Sequence, residues 1–186
     1  MGMYPGGNII RVTPTLDTNA YAADDVLFNP TKIPGAVSNR GGVSLLKAMY
    51  VLDQADIADS DIKFIFTEGS TDLGTINATA NISDADLKAN NICSYAFLDA
   101  SEAGTGATID NSRIYPVFPS SGSGETGGPE VMLKAADGST DVYVSAVLTS
   151  STTPTYAASD LQLQNHHVQQ LYTLCDTLLQ FVLLQD

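Results

Sequence analysis

The chain has 186 residues, 44% of them hydrophobic, with 21 acidic and 8 basic side chains and a net charge of −13. That length suits one domain with a sizeable core, and the hydrophobic content excludes wholesale disorder. The charge excludes a nucleic-acid partner, whose phosphates need Lys and Arg, and an anionic membrane surface, leaving a basic protein surface or plain solubility.

The first residues, MGMYPGGNII, lack a basic region followed by an apolar run, so no secretory signal is expected. Gly6 stands where a myristoylation motif takes Ser or Thr. No stretch approaches the roughly 18 apolar residues of a membrane span. Cys93 and Cys175 lie in apolar settings and read as buried free thiols.

Three segments are predicted: an N-terminal arm over 1–8, a β-domain over 9–164 and an amphipathic helix over 165–186. Asn8 to Thr13 is strand-prone and Pro14 closes it, since proline has no N–H for a ladder. The stretch from Arg11 to Leu27, RVTPTLDTNAYAADDVL, has a shortened echo in TPTYAASDL at 153–161. Both copies pass through Thr-Pro-Thr and Tyr-Ala-Ala to Asp and an apolar residue. Residues 29–37 read as an irregular or edge strand interrupted by Pro30 and Pro34. Val43 to Leu52 has apolar spacing compatible with a helix, but its β-branched ends and the preceding Gly-Gly favour a strand, meandering into the next. Asp53, Asp56, Asp59 and Asp61 lack the alternate spacing, central Gly and closing Glu of a calcium loop, so a solvated loop is expected.

Ile62 to Thr67 alternates as a half-buried strand. Ser83 caps a two-turn helix whose first turn carries Asp84 and Asp86. Ile92 to Leu98 and Arg113 to Phe118 are extended, the latter broken by Pro116, and PSSGSGETGGP at 119–129 reads as a surface loop. Val131 to Lys134 and Asp141 to Leu148 are strands joined through the hairpin pair Asp137-Gly138. The second is apolar on nearly both faces and should be central. Leu161 to Leu163 completes the sheet.

From Asn165, a suitable cap, the period becomes helical. Val168, Leu171, Cys175, Leu178 and Val182 recur at spacings of 3, 4, 3 and 4, and Tyr172, Leu174, Leu179, Phe181 and Leu183 widen the stripe. So much apolar surface must pack on its own domain, on a copy of itself or on another protein. Its position after a completed sheet favours an intermolecular role. The expected oligomer or capsid interface is therefore Val168, Leu171, Leu174, Cys175, Leu178, Phe181 and Val182.

Catalytic chemistry is not evident. His166 and His167 are the only histidines, and adjacent helical residues point about 100° apart, too divergent to share a metal easily. No serine sits in a nucleophile elbow, and the glycines at 122–128 lack the Lys-Ser/Thr ending of a phosphate loop. The sequence predicts no enzyme, no cofactor and no metal.

Taken in order, VTPTLDTNAYAADDVLF, GGVSLLKAMYVLDQ, IKFIFTEG, ISDADL and DVYVSAVLTSSTTPTYAASDLQL resemble the capsid decoration, or cement, proteins of tailed bacteriophages over residues 9–164. The resemblance implies an antiparallel β-sandwich of jelly-roll type, a homo-oligomer (trimer favoured), the major capsid protein as partner, and a virion location after synthesis in the host cytoplasm. It carries over no site residues, and the helix 165–186 extends beyond the family's usual end. From a different class, a receptor- or glycan-binding sandwich would use Tyr4, Tyr95, Tyr115 or the 53–61 loop. A head–tail or tail component is a third reading.

Overall fold

In the computed structural model the described residues are 7–100, 106–119 and 131–169. They form strands β1 (Gly7–Val12), β2 (Val26–Ile33), β3 (Val43–Asp53), β4 (Ile62–Thr67), β5 (Ile92–Leu98), β6 (Ala107–Ile109), β7 (Ser112–Pro119), β8 (Val131–Lys134), β9 (Val142–Leu148) and β10 (Leu161–Gln169), with one helix, α1 (Asp84–Ala89), between β4 and β5. The hydrogen-bonded order is β1-β10-β3-β7-β5-β4-β9-β2, with β6 beside β7 and β8 beside β3. All strand pairs are antiparallel.

Two layers result, β1-β10-β3-β7 and β5-β4-β9-β2. The join is β7, whose Arg113 to Val117 pairs with β3 while its last two residues pair with Phe97 and Ala96 of β5. The period-two pattern explains the core. Ile62, Phe64 and Phe66 of β4 face Met49 and Val51 of β3 and Leu161 and Leu163 of β10 across one buried cluster. The expectation of a mainly β protein with two antiparallel sheets and little helix is met. Ser83 caps α1 by accepting the Asp86 N–H. As predicted, β9 is interior, lying between β4 and β2.

Pairing differs from the sequence reading in two places. β3 does not meander into β4; it pairs with β10, β7 and β8, while β4 joins β5 and β9. Asp137-Gly138 does form a turn, with the Ser139 N–H bonded to the Ala136 carbonyl at 2.9 Å and Gly138 at φ 81°. That turn passes the chain from one layer to the other rather than closing a hairpin. Pro30 fits because β2 is an edge strand whose ladder to β9 shifts between Phe28 and Thr31.

The predicted boundaries at 8 and 164 also move. β1 begins at Gly7, and β10 runs to Gln169, paired with β1 through Val168 and with β3 through Gln169. Asn165 is therefore no helix cap. Flanked by strands on both sides, residues 165–169 gain more from two ladders than from one isolated helical turn. Residues 170–186 lie outside the described residues.

The sequence echo is a physical pairing. Its two copies run side by side, with Leu16 N–H to Ala158 O at 3.1 Å and Tyr21 N–H to Pro154 O at 2.9 Å. The rings of Tyr21 and Tyr156 meet edge to face at 6.1 Å. Each copy ends in the same reciprocal turn. Ala22 N–H donates to Asp25 Oδ2 at 2.7 Å, and the Asp25 N–H returns to the Ala22 carbonyl at 3.2 Å. In the second copy Ala157 N–H donates to Asp160 Oδ2 at 2.5 Å, and Asp160 N–H returns to Ala157 O at 3.2 Å. β2 and β10 start at the next residue. Asp25→Ala and Asp160→Ala should each cost about 1–2 kcal/mol in urea unfolding, more for Asp25 because it is the more buried. Equal stability of either variant with wild type would exclude the turn as a strand-starting device.

Candidate interaction surface

Among the described residues no cluster of three or more His, Cys, Asp or Glu is placed to hold a metal ion. The acidic loop is occupied with its own structure. Asp53 is only 2% exposed and accepts the Ala55 and Ile57 N–H groups at 2.8 and 3.1 Å, so it is not solvated as the sequence suggested. Burial pushes its pKa up to about 6, and the nearby carboxylates of Asp160 and Asp56 add to the rise. Asp56 pairs with Arg113 Nε at 2.6 Å. Tyr115 is buried and donates its hydroxyl to the Ile57 carbonyl at 2.9 Å, which removes it as a stacking platform; Tyr95 is exposed, and Tyr4 lies outside the described residues.

His166 and His167 belong to a strand, so they point to opposite faces. His166 lies outward against Tyr50, ring centroids 5.2 Å apart. His167 is 1% exposed, and neither ring nitrogen has a well-formed hydrogen bond. Its burial lowers its pKa, and the Asn165 backbone opposes this. Cys93 is half-buried, and its thiol donates to the Lys134 carbonyl at 3.3 Å. An open cleft of about 700 Å³ is lined by Glu68, Asp84, Leu87, Lys88, Asn91, Ile92 and Lys134, and its Lys134 ammonium is held by Glu68.

One outer face is covered by the chain along β2, while Ile92 and Tyr95 of β5 in the same layer stay 52% and 46% exposed. The excursion 68–91 lies along β2: Asn77 N–H bonds to Val26 O and Val26 N–H to Ala78 O, each at 2.9 Å. Asn29 donates to the Gly74 carbonyl at 2.8 Å and accepts the Leu73 N–H at 2.9 Å, while the Asn90 side chain braces Thr71 from both sides. Val26 and Leu73 are buried here, away from the main core, and outward-pointing Ser145 has no exposed surface. This layer also protects an edge strand.

The outer face of β1-β10-β3 has no such cover among the described residues. Registers align Arg11, Gln164, Tyr50 and Pro116 in one row, and Ile9, His166 and Ala48 in the next. Leu52 and Ile114 extend the first row's flank, and Met132 stands beside Leu45. Ile9, Tyr50 and Met132 are 43%, 37% and 48% exposed. None of these outward positions is acidic, although the chain has 21 acids. A sheet face that sets exposed Ile9, Tyr50 and Met132 among Arg11, Gln164 and His166, with no acid, is a surface that another chain can cover.

Of the residues expected at an interface, only Val168 is described: its backbone pairs with Gly7 and Leu45 at the corner of this face. Leu171, Leu174, Cys175, Leu178, Phe181 and Val182 lie outside the described residues. Ile9, Tyr50 and Met132 were not singled out from the sequence. Their signal, a large apolar side chain at the outward phase of a strand, was there to be read. No helix among the described residues is long and apolar enough to cross a membrane. No family model matches the sequence, and no curated protein or solved structure matches it significantly.

Proposed function

We propose that this is a non-enzymatic structural protein of a phage virion, a jelly-roll cement protein that binds the major capsid protein as a homo-oligomer and reinforces the shell. One observation carries the reading most directly: the strand order. β1-β10-β3-β7 facing β2-β9-β4-β5 is the order that two intertwined Greek keys generate, and such double-sheet rolls recur in viral shell proteins. The same roll also serves lectins and enzymes, so the order needs a second support. The bare face of β1-β10-β3 supplies it, because a protein whose work is to be covered by neighbours needs such a surface more than a pocket. Many weak contacts, made together by an oligomer, would hold it on the lattice through avidity.

Purified particles, analysed by quantitative mass spectrometry and cryo-imaging, test the assignment. Copies in the hundreds on the shell are expected. A handful confined to the tail, or none, overturns it.

A further inference from the structure

We propose that the free edge of β1 pairs with β1 of a second copy, antiparallel about a two-fold axis at Ile9, so that two subunits share one continuous sheet layer. This deepens the homo-oligomer part of the function above and rests on that part alone. It makes the unit a pair rather than the trimer that the resemblance favours.

The strand order ends at β2 on one side and at β1 on the other. β2 is blunted in three ways. It carries Pro30, its ladder to β9 shifts between Phe28 and Thr31, and Asn77 and Ala78 bond to Val26 on the side away from β9. β1 has none of these devices. Its 6 residues pair with β10 without a register shift, from Gly7 against Val168 to Val12 against Leu163, and contain no Pro, Lys or acid. Among the described residues no strand is laddered to its other side.

The backbone sets the register. Asn165 Nδ2 donates to the Ile10 carbonyl at 3.3 Å, so Ile10 turns its carbonyl towards β10. Successive residues of an antiparallel strand direct their N–H and C=O groups to alternate sides, so Gly7, Ile9 and Arg11 direct theirs away from β10. Only an extended backbone matches such a row of donors and acceptors. The row is centred on Ile9. A two-fold axis there sets Ile9 against the partner's Ile9 and Arg11 against the partner's Gly7, closing about six hydrogen bonds. The two Arg11 residues are then not opposite each other, and Ile9, 43% exposed in the single subunit, is covered.

Charge favours a second copy as the occupant. Each copy carries −13, yet neither β1 nor the adjoining β10 contains Asp or Glu, so two copies meet here without setting acids against each other. One contact also satisfies the same edge on both copies, as an isologous pair requires. The outer face of β1-β10-β3 stays free in this pairing and doubles in extent.

Light scattering on the eluting full-length chain reads the outcome, without any capsid present. Wild type is expected at twice the monomer mass. Ile9→Asp and Ile9→Lys should each fall to monomer mass, because each sets like charges opposite one another across the axis. Mixed in equal amounts, the two variants should return to dimer mass, since Asp then faces Lys. Tyr50→Asp, on the bare face but off the edge, should keep the dimer. Circular dichroism confirms folding. Amide exchange supplies a measurement that needs no variant: the Ile9 and Arg11 amides should be protected in wild type. A wild type that elutes as monomer or trimer, a dimer that survives both Ile9 variants, or a mixture that stays monomeric overturns the proposal. So does a Tyr50→Asp protein that falls to monomer, or fast exchange at Ile9 and Arg11 in wild type. None of these results bears on whether the chain decorates a shell, which particle composition decides.

Discussion

Tyr21→Ala is expected to be the most damaging single replacement, lowering unfolding free energy by about 3–5 kcal/mol, the range for deleting a buried aromatic ring. The side chain is 1% exposed and does three jobs. Its ring fills the seam between the two echoed stretches against Tyr156. Its hydroxyl accepts the Asp17 N–H at 2.6 Å and donates to the Leu27 carbonyl at 3.1 Å, tying the long connection between β1 and β2 to the start of β2. Burial raises the phenol's pKa to about 12, so it stays a donor throughout the useful pH range. Tyr21→Phe keeps the ring and loses both bonds, and should cost about 1–2 kcal/mol. Urea unfolding of the three proteins separates ring from hydroxyl; a Phe variant as unstable as the Ala variant would place the whole effect in the hydrogen bonds.

That seam shows what a sequence displays and what it conceals. The echo around Tyr21 and Tyr156 was visible as repeated letters, and the structure turns it into two stretches of the chain in contact, with matching Asp turns. Strands were visible where one face is buried, as in Ile62 to Thr67, because alternation is a local property. Partners were not visible. Asp137-Gly138 specifies a turn but not whether the next strand returns beside the last or crosses to the opposite layer, a choice made by the whole core. The end of β10 misled for a different reason. Val168 falls in phase with Leu171 and Cys175, so the helical stripe, projected backwards, absorbed a strand end whose register is set by Ile9 and Ala48, far away in sequence. The bare face was hidden likewise. Tyr50 looks like any half-buried strand residue until one knows that the excursion 68–91 runs along β2 in the other sheet and leaves this one bare.

Acidification is expected to act in opposite directions at the two ends of the β10–β3 ladder. Asp53, beside Leu161 at one end, has its pKa raised from 3.8 to about 6 by burial. A raised carboxyl favours folding in its protonated form, so its contribution is complete below pH 4 and lost as pH rises through about 6. It should stabilise the protein by about 1 kcal/mol on going from pH 7 to 5, and by at most about 3 kcal/mol in full. His167, beside Leu46 at the other end, has its pKa lowered by burial, and the neighbouring His166 adds to the lowering. Its contribution is complete above pH 6.5 and is lost as pH falls below that, since the folded ring resists the proton that the unfolded ring accepts. Global unfolding between pH 7 and 5 should therefore carry two opposed terms in wild type. Asp53→Asn should make the protein lose stability on acidification, and His167→Gln should make it gain. Amide exchange, corrected for intrinsic rates, should quicken at β1 and residues 165–169 below pH 6.5 in wild type and not in His167→Gln. Identical acid slopes in all three proteins would mean that neither group is buried as the ladder places it. If the slopes diverge as expected, the loosened end is the corner where β10 hands over to residue 170.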